Sequence, residues 1–159
     1  MAKNIKVEVN SIRLEENSET PILLLLDPST NRVLPIWIGT IEAVSIAYAQ
    51  EGILHERPQT HDLLLNIVEA MDASIEEVNI SDIKKNTYFA EIVLNTNNGD
   101  VTLSSRPSDA IAIALRTNIN VTVNHDLFLE NSIDILYDNN EEIEEFKNFI
   151  ETIKPEDFS

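Results

Sequence analysis

A chain of 159 residues suits one domain with a real core, since a chain of this size removes roughly 70% of its unfolded surface from water. With 28 Asp and Glu against 11 Lys and Arg, the formal charge of −17 favours solubility and repels polyanions such as nucleic acid or an anionic membrane surface. The absence of cysteine excludes disulfides and thiolate metal sites. MAKNIKVEVN lacks the apolar stretch of a signal peptide, and the longest aliphatic run, ILLLL at 22–26, ends at Asp27, too short to span a bilayer. A cytoplasmic protein without membrane attachment is expected.

In chain order, residues 4–14, 21–27 and 33–38 read as strands of a meander, the last two joined by the turn residues DPSTN. After Gly39, Thr40 is a suitable cap for a helix that places Ile41, Val44 and Tyr48 on one face and ends near Gly52. Leu63, Leu64, Ile67, Val68 and Met71 form a second helical stripe. Strand patterns follow at 75–83 and 87–96, then NNGD and VTLSS, where Asn98-Gly99 signals a tight primed hairpin. A third helix over 108–117 and a short strand at 120–123 complete the body.

The remaining tail holds much of the acidity: residues 127–159 carry ten acids against Lys147 and Lys154. Within it, Ile143, Phe146, Ile150 and Ile153 recur at helical spacing, which predicts an amphipathic helix with a solvated acidic face. The expected fold is α+β: a mixed, largely antiparallel sheet with about three helices packed on it, formed by residues 1–130, and a docked helical tail over 131–159. Three apolar helices beside one sheet leave a face to cover, which predicts a symmetric homodimer.

The candidate chemistry lies in two related segments, Arg57-Pro58-Gln59-Thr60-His61-Asp62 and Arg106-Pro107-Ser108-Asp109. On local grounds Thr60 and Ser108 are N-caps, with Asp62 and Asp109 in first turns where negative charge suits the helix dipole. That reading leaves the arginines unexplained, because the same dipole disfavours a cation at a helix start unless a carboxylate or a bound anion compensates it. Either an Arg/Asp lock or a small anion pocket satisfies the fork geometry of Arg57 and Arg106. Arginines and aspartates of the two segments are therefore expected to meet.

LPIWIGTIEA (34–43), RPQTHDL (57–63), TYFAEI (87–92) and RPSDAIAIALR (106–116), in this order and spacing, resemble the bifunctional nuclease domain family, over roughly residues 3–130. The closing FKNFIETIKPEDF is similar to the tail of bacterial members. The chain departs from the family's common Asp-Ala before the second Arg-Pro by carrying Ser104-Ser105.

The resemblance implies cleavage of RNA and DNA. For that chemistry the residues suggest His61, Asp62 and Asp109 as catalytic groups, His61 as general acid or base because imidazoles titrate near neutrality. Arg57, Thr60, Arg106 and Ser108 are candidates to hold phosphate, and Asp62 and Asp109 to hold a divalent cation such as Mg²⁺ or Mn²⁺. Adjacent helix residues diverge, so His61 and Asp62 share one metal with difficulty. The alternative is a noncatalytic binding or assembly module in which the Arg/Asp pairs rigidify two helix starts.

Other residues carry weaker signals. His55 and His125 lack ligand spacing. Glu42 and Glu91 suit a shared cleft but are more often solvated. Trp37 and Tyr88 are suited to stacking a base, yet no basic groove surrounds them in sequence, and core packing is the expectation.

Overall fold

The computed structural model describes residues 3–15 and 17–134, and the expected C-terminal amphipathic helix lies outside them. The chain runs β1 (Ile5–Leu14), β2 (Pro21–Asp27), β3 (Arg32–Trp37), α1 (Thr40–Gln50), α2 (Thr60–Ala70), β4 (Ser74–Lys84), β5 (Thr87–Thr96), β6 (Gly99–Ser105), α3 (Pro107–Thr117), β7 (Val121–Val123), α4 (His125–Asn131) and β8 (Ile133–Asp134). The strands form one eight-stranded sheet in the order β6-β5-β4-β7-β1-β2-β3-β8. Every pairing is antiparallel except β4 with β7. The architecture is therefore the expected mixed, largely antiparallel α+β fold.

The first three strands form the expected meander. β2 owes its unbroken aliphatic run to its place between β1 and β3, with Leu23, Leu24 and Leu25 all buried. A strand covered on both faces has no reason to alternate. Its exit is shaped by Asp27, whose carboxylate accepts hydrogen bonds from the Ser29 N–H at 2.9 Å and from the Ser29 and Thr30 hydroxyls, with Asn31 at φ 59° completing the turn. Short side chains that tolerate the left-handed region suit this turn.

Both central hairpins differ in detail from what their sequences suggest. Between β5 and β6 the paired ends are Thr96 and Gly99, so Asn97 and Asn98 are central and only Gly99, at φ 108°, has positive φ. The turn with positive φ at both central residues lies instead between β4 and β5, at Lys85 and Asn86 (φ 50° and 64°). That is the backbone a two-residue primed hairpin needs, supplied without glycine.

The helix starts are likewise shifted by one or two residues. Gly39, Gln59 and Arg106 occupy the N-cap positions, so Thr40 and Thr60 are first-turn residues and Pro107 takes the first helical position. Proline fits there because its missing N–H has no helical partner to lose. A short helix, α4, had no expectation from sequence. Its N-cap is Asn124, whose side chain accepts the Leu127 N–H at 3.1 Å, and it buries Leu127 and Phe128.

The core joins Leu23, Leu25 and Leu34 of the meander to Val78 and Ile80 of β4, Ile46 of α1, Ile111 of α3, Val123 of β7 and Phe128 of α4. Helices α1 and α3 pack on each other and on the sheet. Helix α2 differs: His61 is its one buried residue, while Leu63, Leu64, Ile67 and Met71 are exposed, Met71 by 73%. Trp37, expected to pack in the core, is 54% exposed at the end of β3. It lines a cavity instead of packing in the core.

Candidate active site

The site is built where the starts of α2 and α3 meet the side of α1. His61, in the first turn of α2, is buried, and each ring nitrogen is engaged: Nδ1 lies 2.7 Å from the Ser45 hydroxyl of α1 and Nε2 2.9 Å from Asp109 of α3. Burial pushes the Asp109 carboxyl up, but hydrogen bonds from Arg106 and His61 outweigh it and hold its pKa below the ordinary value. An ionised carboxylate only accepts, so Nε2 carries a proton toward Asp109, and in the neutral tautomer that this selects Nδ1 accepts from the Ser45 hydroxyl.

Asp109 also accepts two hydrogen bonds from Arg106, Nε to Oδ2 at 2.7 Å and Nη2 to Oδ1 at 3.0 Å, while Arg106 Nη1 donates to Glu42 at 2.9 Å. The lack of a side chain at Gly39 is what lets Glu42 reach this position, since a Cβ there would collide with the Glu42 carboxylate. These pairings raise the Arg106 pKa further above its ordinary value. Three of the five guanidinium N–H groups are used, and the side chain remains 61% exposed. Two donors are left for an anion.

A second arginine, Arg116, lies seven residues beyond Asp109 on the same face of α3 and is only 11% exposed. It donates from Nε to Asp62 at 2.8 Å, from Nη1 to the Ala112 carbonyl at 3.0 Å, and from Nη2 to both the carbonyl and the hydroxyl of Ser45 at 3.2 Å. Asp62 in turn accepts the Gln59 N–H at 2.9 Å. Burial raises the Asp62 pKa, and the bonds from Arg116 and the Gln59 N–H more than reverse this, leaving it lowered.

The result is a continuous polar chain, Glu42–Arg106–Asp109–His61–Ser45–Arg116–Asp62, that ties three helices together. Replacing Arg116 by Met keeps most of the apolar volume but strands the half-buried Asp62 and the Ser45 carbonyl. Removing one partner of a buried pair costs about 3–5 kcal/mol, and the partial exposure of Asp62 reduces this to about 2 kcal/mol. At about 2–4 °C per kcal/mol for a chain of this size, Arg116→Met lowers the melting temperature by roughly 4–8 °C; an unchanged melting curve contradicts the network's structural role.

These two lowered aspartates, with Asp27 lowered likewise by its turn hydrogen bonds, also set a pH dependence. Because each folded pKa lies below its unfolded value, the stabilisation is complete above the ordinary aspartate value near 4 and is lost as pH falls through the lowered native values. Urea unfolding followed from pH 6 downward is expected to hold steady and then weaken below about pH 4, with a smaller decline in Asp109→Asn.

Between these groups lies a cavity of about 270 Å³ lined by Ser45, His61, Arg106, Asp109 and Arg116, with Tyr48 and Thr60 at its walls. A neighbouring cavity of about 440 Å³ shares Glu42 and Arg106 and is lined also by Trp37, Tyr88 and Ser108. His55 packs edge-on against Tyr48, with ring centroids 4.6 Å apart.

The structure brings His61, Asp109, Arg106 and Thr60 to one cavity and Ser108, buried, to the wall of the next. Asp62 meets Arg116 rather than an arginine of the two repeated segments. Arg57 is exposed, forms no ion pair among the described residues and lines neither cavity. Glu91 lies exposed on β5, and His125 pairs with Asp126 at the start of α4. Asp62 and Asp109 face separate arginines, and among the described residues no group of three or more His, Asp or Glu could hold a metal ion.

Ser45 and Arg116 are the site residues that sequence reasoning missed. The signals were modest: Ser45 is the polar interruption of an apolar stretch of α1, three residues after Glu42, and Arg116 repeats Asp109 two turns on.

A protein of Mycobacterium tuberculosis strain H37Rv, described only as uncharacterised, is 36% identical over 162 residues, covering 96% of this chain and 97% of its own length. Bifunctional nuclease 2 of Arabidopsis thaliana is 30% identical over 107 residues, 65% of this chain and 32% of the plant protein. Bifunctional nuclease 1 of Oryza sativa subsp. japonica is 23% identical over 141 residues, 84% of this chain and 43% of the plant protein. The bifunctional nuclease domain model matches residues 23–136, which takes in α1, α2, α3 and every residue of the polar chain. This chain belongs to the bifunctional nuclease domain family.

Proposed function

We propose that the cleft between α1 and the starts of α2 and α3 hydrolyses phosphodiester bonds in single-stranded nucleic acid. The observation that carries this reading is His61, a buried imidazole held by Asp109 on one side and facing a hydroxyl on the other, in a cavity shared with the partly exposed guanidinium of Arg106. Asp109 fixes the ring and its tautomer, His61 moves the proton, and the two remaining donors of Arg106 bind nonbridging phosphate oxygens. The adjoining cavity supports a base subsite, since Trp37 and Tyr88 line it together with the same arginine. Single-stranded substrate suits this arrangement because its bases are free to stack.

A divalent cation has no assigned role in this reading. The test is cleavage of end-labelled single-stranded RNA and DNA by purified protein, with Mg²⁺ or Mn²⁺ and separately with chelator. Cleavage that survives the chelator supports the proposal; cleavage abolished by it returns Asp62 and Asp109 to the role of metal ligands. No cleavage above a mock purification overturns the nuclease reading.

The exposed face of α2 favours a second role for the same helices, as an assembly surface. Leu63, Leu64, Ile67 and Met71 lie on one helical face, and contiguous apolar surface of this kind is commonly covered by a symmetric second copy. A homodimer that loses its partner on Ile67→Asp is expected by light scattering at micromolar concentration. A monomer mass for the unsubstituted chain contradicts it.

A further inference from the structure

We infer that Ser45 is a nucleophile, activated by His61 and oriented through it by Asp109, and that the reaction passes through a nucleotide joined by its phosphate to the Ser45 oxygen. This rests on the phosphodiesterase reading for its substrate, but the geometry that carries it is independent of that substrate.

Three observations converge on Ser45. Its hydroxyl lies 2.7 Å from His61 Nδ1, the nitrogen left without a proton once Nε2–H is committed to the Asp109 carboxylate. This is nucleophile, base and orienting acid in hydrogen-bonded sequence, with the two ring nitrogens exchanged relative to the serine protease triad. Arg116 Nη2 donates to the same oxygen at 3.2 Å, which stabilises the negative charge that develops as the proton leaves. Ser45 also lines the cavity that holds Arg106, so it faces the space a phosphate would occupy instead of being sealed in the core.

A mid-helix serine ordinarily returns its hydroxyl to a carbonyl of the preceding turn. Here it is turned to His61, and Arg116 donates to its oxygen. A serine hydroxyl has one proton and two lone pairs. The proton goes to His61, one lone pair accepts from Arg116, and the other is available to phosphorus.

The chemistry balances without a further reagent. Ser45 Oγ bonds to phosphorus as its proton passes to His61 Nδ1; the bond to the departing alcohol breaks, and the imidazolium returns that proton to the leaving oxygen. The remaining nucleotide is then esterified to Ser45. Water, deprotonated by His61, attacks the same phosphorus, the Ser45 oxygen leaves and recovers its proton, and a phosphomonoester is released. Consumption of one water per bond cleaved is the sum.

The test uses an alkyl fluorophosphonate, which phosphonylates an activated serine with loss of fluoride and needs no nucleic acid. Intact-mass measurement is expected to show one added phosphonyl group, mapped to Ser45 by peptide analysis and absent from Ser45→Ala and His61→Ala. In parallel, Ser45→Ala, checked for native circular dichroism, is expected to cleave single-stranded RNA or DNA at least about 10²-fold more slowly. Should Ser45→Ala not fold, Ser45→Cys replaces it, with iodoacetamide alkylation of the thiol expected to depend on His61. Labelling at Ser45 without nucleic acid cleavage upholds the nucleophile and rejects the phosphodiester substrate. Cleavage by the wild-type chain with no labelling at Ser45, or at an unchanged rate in Ser45→Ala, overturns the inference and leaves water as the group His61 activates.

Discussion

His61→Ala is expected to lower the cleavage rate by about 10²- to 10⁴-fold, the contribution of a positioned general acid or base. The substitution removes the group that connects Asp109 to Ser45, and no other described residue bridges them. It also removes the one buried side chain of α2, so a helix that no longer sits on the body is a second source of loss. His61→Gln separates the two effects, because an amide retains hydrogen bonds to both neighbours but cannot accept and return a proton. Equal rate losses in the two variants, with native circular dichroism and melting temperature in the glutamine variant, identify proton transfer. Rescue of the rate by glutamine identifies His61 as a tie between helices.

Phe128→Ala is expected to destabilise the fold by about 3–5 kcal/mol, the usual cost of emptying a buried phenylalanine site. Phe128 is 1% exposed and belongs to the same cluster as Leu23, Ile46 and Ile80, so its removal leaves a void in that core. The melting temperature should fall by on the order of 10 °C, while the polar chain of the site, which does not include Phe128, remains assembled in the folded fraction. A drop of only a degree or two contradicts α4 as part of the core.

That helix also marks where sequence legibility ended. Seven residues give two turns, too few for the apolar period that revealed α1, α2 and α3, and its cap, Asn124, follows directly on a short strand. The longer elements were legible because periodicity and turn residues agreed: β2 and β5 have the expected bounds, and β1, β3, β4, α1 and α3 differ from theirs by a residue or so. The stripe on α2 is helical as expected, and most of it faces outward. Periodicity marks a face but does not say what covers it.

The site divides in a similar way. His61, Asp109 and Arg106 were legible because two short segments repeat a pattern of charge and proline that capping does not fully explain. The pairing was not. Asp62 meets Arg116 and not Arg57, since partner choice depends on how α2 lies across α3, and Ser45 enters only because α1 passes over the same point. Trp37 is expected in the core because no basic groove surrounds it in sequence, yet it is exposed and lines a cavity that the fold assembles from distant segments.

The most direct test of the site's chemistry is the position of the His61 proton, read from the imidazole nitrogens in a long-range ¹⁵N–¹H spectrum at neutral pH. The geometry predicts a ring proton on Nε2 with Nδ1 free to accept, and that tautomer lost or averaged in Asp109→Asn. A ring protonated at Nδ1, or one that exchanges both tautomers in the wild-type chain, leaves no acceptor for the Ser45 proton and contradicts His61 as the base.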